Sequence, residues 1–225
     1  MGQDERRVVE RRTTRSGELQ LTRIAAEGET HYELIFNGVF LMATYNAPSC
    51  RVLVDAVLDG MDPRGSVDLL IGGLGMGFAL RHALACPRVR KAWVVELESR
   101  IVTWNRSHLG NAEALDDPRT EMVLGDFSDY VQGTPRSYHG IAIDIDNGPD
   151  WIVRGENRRA YSLSMLGVLK TRLRPGGAMS IWAHAPHQPY EKALKEVFDD
   201  VRFVEATDHD PSGRPLESVI YVVRA

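Results

Sequence analysis

Hydrophobic residues change their period partway along the chain. Leu19, Leu21 and Ile24 precede the turn Glu27-Gly28-Glu29; Tyr32, Leu34 and Phe36 precede Asn37-Gly38 and a further run from Val39 to Tyr45. A two-residue spacing puts alternate side chains on one face of a sheet, and Asn-Gly between alternating runs is the strongest short-range hairpin signal. Residues 17–45 are therefore expected to form a small antiparallel β unit. From Ser49 to Leu58 the spacing becomes helical, with Val52, Leu53, Ala56 and Val57 on one face, and Gly60-Met61-Asp62-Pro63-Arg64-Gly65 reads as a linker.

From Val67 onward, apolar runs and helical patterns alternate. The pattern predicts strands over 67–72, 91–97, 120–125, 139–145 and 177–184, and helices over 77–86, 99–109, 127–132, 157–173 and 189–198. Such alternation builds a parallel sheet with helices on both faces. The ending differs: Val201 to Thr207 and Glu217 to Arg224 flank a turn-rich loop and form a hairpin without an intervening helix. The expected fold is α/β, a Rossmann-like doubly wound seven-stranded sheet closed by a C-terminal antiparallel hairpin, with a small N-terminal β-hairpin appendage. Its expected divisions are 1–16, a polar Arg-rich flexible terminus; 17–60, the β unit and linking helix; and 61–225, the main domain.

Length and composition narrow the class. The 225 residues suffice for one α/β domain with a core of its own, and 43% hydrophobic and 26% charged residues are ordinary for a soluble globule. A net charge of −4 argues against nucleic acid as the main partner, because phosphate binding needs a basic surface. Cys50 and Cys86 show no disulfide spacing, no apolar window is long enough for a membrane span, and the first residues are charged. A cytoplasmic protein with neither nucleic-acid nor membrane partners is expected.

In a doubly wound sheet, ligands bind beyond the C-terminal strand ends, where strand order reverses. The first parallel strand ends in Gly72-Gly73-Leu74-Gly75-Met76-Gly77, a turn that brings backbone N–H groups and a helix N-terminus to a ligand. The second ends about 20 residues on in Glu96-Leu97-Glu98, where an acid can hold ribose hydroxyls. The third ends in Gly125-Asp126-Phe127; Asp126 alone suits a helix N-cap, but after a glycine turn and Glu96 it also suits an adenine amino group, with Phe127 as an apolar wall. The fourth ends in Asp144-Ile145-Asp146-Asn147-Gly148-Pro149. The donor-site residues expected are Gly72, Gly73, Gly75, Met76, Glu96, Leu97, Gly125, Asp126, Phe127 and Asp144.

On these motifs, residues 67–185 resemble the S-adenosylmethionine-dependent methyltransferase fold, and more narrowly the spermidine synthase family. The resemblance implies an adenosyl donor, S-adenosylmethionine or its decarboxylated form, and a homodimer formed through the N-terminal appendage. One departure bears on the reaction. Spermidine synthases carry within the glycine turn an aspartate that holds the aminopropyl ammonium of the decarboxylated donor, and Gly75 stands there. Two like charges about 4 Å apart in a partly buried site repel by up to several kcal/mol, so losing this acid lifts the bar against a carboxylated donor. Cys50 and Arg51 fall where the family places Tyr and Gln or His around the polyamine.

These departures favour a methyltransferase acting on a small amine-bearing or cationic acceptor, with Asp144 as general base or acceptor anchor, Asp146 sharing the acceptor and His184 near it. Aminopropyl transfer in polyamine synthesis is the alternative, and a non-catalytic adenosyl-binding protein the further one. His184 and His187 lack a third ligand nearby in sequence, so no metal is expected. Trp151 and Trp182 suit the acceptor wall or core packing equally, Tyr161 suits packing or a cap-side contact within reach of the acceptor, Tyr45 and Asn46 suit a lid, and Asp208-His209-Asp210 suits an exposed loop.

Overall fold

The computed structural model describes residues 5–26, 28–59, 61–62 and 64–225. Glu27 of the first expected turn, Gly60 and Pro63 of the expected linker, and the first four residues of the expected flexible terminus lie outside the described residues.

The N-terminal unit is a four-stranded antiparallel sheet in the order β1 (Glu5–Thr13), β2 (Glu18–Ala26), β3 (Glu29–Phe36) and β4 (Val39–Ala43). Asn37 and Gly38 turn β3 into β4 with φ of 48° and 78°, the positive pair that a two-residue hairpin turn requires. The expectation of a flexible terminus over 1–16 is corrected for Glu5–Thr13, which pairs with β2 from Glu5 opposite Ala25 to Thr13 opposite Glu18. β1 is an edge strand, so its outward positions carry Arg and Glu and no apolar alternation marks it. Charged contacts fix it instead. Arg6 donates two hydrogen bonds of 3.0 Å to buried Glu33, and Glu10 accepts from the indole of Trp104 at 2.6 Å.

Helix α1 (Ala47–Leu58) joins this unit to the main sheet and carries Pro48 in its first turn, where a missing N–H costs nothing. The Ser49 N–H donates to Asp208 Oδ1 at 2.9 Å. Asp208 was expected in an exposed loop. It lies instead inside a strand and is 1% exposed, because it supplies the acceptor that the start of α1 lacks.

The main domain then runs β5 (Val67–Gly72), α2 (Phe78–Ala85), β6 (Val89–Glu96), α3 (Ser99–Ser107), α4 (Ala112–Asp116), β7 (Thr120–Leu124), α5 (Phe127–Gly133) and β8 (Tyr138–Ile143). A 3-10 turn (Gly155–Tyr161) leads into α6 (Leu163–Arg172), β9 (Leu173–Ala183), α7 (Gln188–Val197), β10 (Asp200–His209) and β11 (Pro215–Arg224). The seven strands lie in the order β10-β11-β9-β8-β5-β6-β7; β5 to β9 are parallel, and β11 is antiparallel to both neighbours. This is the doubly wound sheet with a terminal hairpin that the alternation predicts. The expected long helix over 157–173 is divided because Ser162 caps α6, accepting the Met165 N–H at 3.2 Å. Helix α4 went unread; with five residues it is too short to show a period.

One core lies on each face of the sheet. Leu53, Leu69, Leu80 and Trp104 belong to one, and Leu70, Phe127, Leu166 and Tyr221 to the other. The strand order reverses at β5, which has β6 on one side and β8 on the other, so the crevice opens at the tips of these strands. Below the crevice, α1 packs tightly against β8 and β5. A Cβ at Gly140 would lie 2.2 Å from Val57 and 2.9 Å from Leu69. Gly140→Ala is expected to destabilise the fold by about 1–3 kcal/mol, read as a lower midpoint in urea denaturation.

Candidate active site at the strand tips

The glycine turn is shaped by close approach. Gly73 has φ of 89°, and a Cβ there would lie 2.1 Å from the carbonyl oxygen of Asp144, so only glycine lets the tips of β5 and β8 meet. Side chains from later elements then fasten the turn. Glu96 Oε2 accepts the Leu74 N–H at 2.9 Å, and its Oε1 accepts the Glu98 N–H at 2.8 Å. Asn105 donates to the Gly75 carbonyl at 2.9 Å, and Asn111 to the Met76 carbonyl at 2.8 Å. Both asparagines are buried. Sequence reasoning missed them, since an asparagine on α3 or at the start of α4 carries no mark of which loop it will hold.

A cleft of about 920 Å³, open to solvent, lies over these tips and is roofed by Leu19, Leu34, Phe36 and Met42 of the N-terminal sheet. Of the residues expected from sequence, Gly73, Gly75, Glu96 and Leu97 line it, as do Gly125, Asp126, Phe127, Asp144 and Asp146. Gly72 and Met76 lie behind the surface: Gly72 backs onto Phe127, whose ring would be 2.8 Å from an added Cβ, and Met76 is 1% exposed. Arg154 and Asn157 also line the cleft and were not expected.

The carboxylates differ in how they are held. Burial pushes the Glu96 carboxyl up, against the opposing pull of the Glu98 and Leu74 N–H groups. The Gly75 N–H adds to that pull, so backbone donors from the glycine turn and from the start of α3 converge on this one carboxylate. Asp126 is the N-cap of α5, accepting from Ser128 at 2.9 Å and Asp129 at 3.2 Å, and it pairs with Arg159 at 2.7 Å and Arg154 at 3.4 Å. Burial raises its carboxyl, but these N–H groups and Arg159 outweigh that and hold it below the usual range.

Asp146 accepts from the Asn147, Val153 and Arg154 N–H groups and from the Asn157 amide at 2.8 Å. Its carboxylate therefore organises its own loop and also lines the cleft. The expectation that His184 lies near the acceptor is corrected. His184 does not line the cleft; its Nδ1 donates to the Asn147 carbonyl at 3.1 Å, lies 3.5 Å from Asp150, and its ring meets Trp151 edge-on at 5.0 Å.

Asp144 is the exception. Its one side-chain partner among the described residues is the Cys50 thiol, 3.8 Å from Oδ2. Burial first, with the charges of Asp208 and Asp146 behind it, pushes its carboxyl up to about 7, although the Cys50 contact pulls the other way. Among the described residues, no cluster of three or more His, Cys, Asp or Glu side chains is placed to hold a metal.

Residues 54–205 match the spermine/spermidine synthase domain. The chain belongs to that family. The polyamine aminopropyltransferase 2 of Pseudomonas aeruginosa is 33% identical over 161 residues, covering 68% of this chain and 44% of that protein. The polyamine aminopropyltransferase of Mycobacterium tuberculosis is 30% identical over 128 residues, covering 55% and 24%. The chain thus spans less than half the length of these relatives. The crystal structure of spermidine synthase from Thermotoga maritima shares the fold, with a TM-score of 0.78 over 97% of this chain and 72% of that one at 18% identity. A spermidine synthase structure in complex with the transition-state analogue AdoDATO gives 0.79 at 19% identity, covering 97% and 73%.

These comparisons overturn the expectation of a methyltransferase, since the matching domain is that of spermine and spermidine synthases and these relatives are named polyamine aminopropyltransferases. A putrescine N-methyltransferase 2 from Nicotiana tabacum is also similar, 30% identical over 131 residues, but covers only 56% of this chain and 36% of that protein. The argument from Gly75 fails for a physical reason. Losing an acid from the turn does not add a counter-charge for a donor carboxylate. The one Lys or Arg among the described lining residues is Arg154, already paired with Asp126 and Glu156.

The raised Asp144 carboxyl also has a consequence for stability. Unfolded, it ionises near 3.8; folded, near 7. The folded chain holds the extra proton between these values, so this group's contribution is full below about pH 4 and is lost as pH rises through 7. Asp144→Asn removes that loss. Calorimetry is expected to show its melting temperature raised by roughly 3–6 °C at pH 8, with no gain at pH 4.

Proposed function

We propose that the chain catalyses aminopropyl transfer from decarboxylated S-adenosylmethionine to an amine acceptor of the polyamine class. The observation that carries this reading is the state of Asp144. Among the described lining carboxylates, Glu96, Glu98, Asp126 and Asp146 all accept N–H or hydroxyl hydrogen bonds, whereas Asp144 accepts neither and faces only a thiol. It sits across the glycine turn from Glu96, where an acceptor would meet a donor whose sugar Glu96 holds. The names of the relatives, polyamine aminopropyltransferases, support the same chemistry.

An amine acceptor is protonated near neutrality, and only its neutral form attacks carbon. The Asp144 carboxylate would hold the ammonium, take its proton and release that proton to solvent. When bound, the donor supplies the aminopropyl carbon: a nitrogen–carbon bond forms, the carbon–sulfur bond breaks, and the sulfonium leaves as neutral methylthioadenosine. Glu96 and the glycine turn orient the donor, which converts a bimolecular displacement into a positioned one. The acidic rim of the cleft suits a cationic acceptor.

Transfer needs the ionised form of Asp144, so kcat/KM should rise with pH through about 7. The test is an assay of labelled decarboxylated donor with putrescine, cadaverine and spermidine. Transfer to at least one is expected, with kcat/KM lowered about 10²–10⁴-fold in Asp144→Asn and its rising limb abolished. Donor binding without turnover on any amine, or an unimpaired Asp144→Asn, would refute the assignment.

A further inference from the structure

Strand β4 carries one side chain over the glycine turn. Met42 Sδ lies 3.2 Å from the Met76 nitrogen and accepts its N–H, and a Cβ added at Gly75 would sit 2.6 Å from Sδ and 3.3 Å from the terminal methyl. Met42 and Gly75 both line the cleft. A thioether from a different sheet therefore occupies the space where the family resemblance places an aspartate.

The Met76 N–H has a particular electrostatic setting. It lies just before Gly77, the N-cap of α2, at the positive end of that helix. Left bare, it is the kind of donor that an anionic group takes. Met42 satisfies it with an uncharged, weak acceptor and fills the space beside it. The Asn105 and Asn111 bonds to the Gly75 and Met76 carbonyls hold the turn from its other side, so the N–H cannot swing away from Sδ without breaking them.

We infer that Met42 is a donor-specificity residue: by covering Gly75 at the edge of the cleft and the Met76 N–H behind it, it denies the carboxylate of ordinary S-adenosylmethionine both a hydrogen-bond partner and room. An aspartate at Gly75 would exclude that carboxylate by repulsion and hold an ammonium; Met42 excludes it by removing the site where it would settle. The donor's three-carbon tail then lies along an apolar wall. This rests on the aminopropyl-transfer reading, and the two fail differently.

Calorimetric titration of the full chain with decarboxylated and ordinary S-adenosylmethionine tests it in wild type, Met42→Ala and Met42→Leu. Wild type is expected to prefer the decarboxylated donor. Met42→Ala opens both the space and the N–H and should bind ordinary S-adenosylmethionine about tenfold more tightly, while the decarboxylated donor changes less than about threefold. Met42→Leu keeps the bulk but frees the N–H, and should gain about threefold for the carboxylated donor. An unchanged ratio of the two affinities in both variants would overturn the role of Met42. Wild type binding neither donor would instead overturn the transferase reading itself.

Discussion

One carboxylate ties together the two strand tips that make the site. Glu96 ends β6, yet both of its oxygens serve neighbours: the Leu74 N–H in the turn after β5 and the Glu98 N–H at the start of the next helix. Leu74 is buried, so without Glu96 its N–H would face apolar side chains unpaired, and an unsatisfied buried donor costs about 1–3 kcal/mol. Glu96 also lines the cleft. Holding the turn and shaping the crevice between β5 and β6 are thus one arrangement, and the proposed sugar contact would fall there.

Around that anchor the other acids divide into those that hold structure and one that does not. Asp126 caps α5 and receives two arginines, and Asp146 folds the loop after β8 around itself. Asp208, on the far hairpin, supports the start of α1 and places its charge near Asp144. Asp144 receives no such N–H donors, and burial, with the charges of Asp208 and Asp146 behind it, raises its proton affinity. A protein that keeps such a group gives up stability above neutral pH, which is the usual mark of a residue retained for chemistry rather than for folding.

The sheet was legible because its signals are local. A glycine cluster after an apolar run, an acid at the end of the next strand, and helices between them need no knowledge of distant partners. What the sequence hid was set by partners far along the chain. The strand Glu5–Thr13 reads as a charged tail because it is an edge, and only its bonds to Glu33 and Trp104 show it to be structural. Asp208 reads as a loop acid because the Ser49 N–H that it accepts lies 159 positions earlier. Asp144 and Asp146 look equivalent, two residues apart, and are separated only by how many N–H groups reach each one. The inference of methyl transfer from Gly75 weighed one missing charge and could not see that Met42, from another sheet, takes the vacated space.

The central claim is that Glu96, fixed by the turn, holds the sugar of an adenosyl group in this cleft. Its most direct test is the dissociation constant for methylthioadenosine, which carries the nucleoside but no charged tail, in wild type and Glu96→Gln. The account predicts measurable binding by the wild type, weakened about 10–100-fold by Glu96→Gln, the range for a hydrogen bond to a charged group. Equal affinity in the two proteins would contradict it.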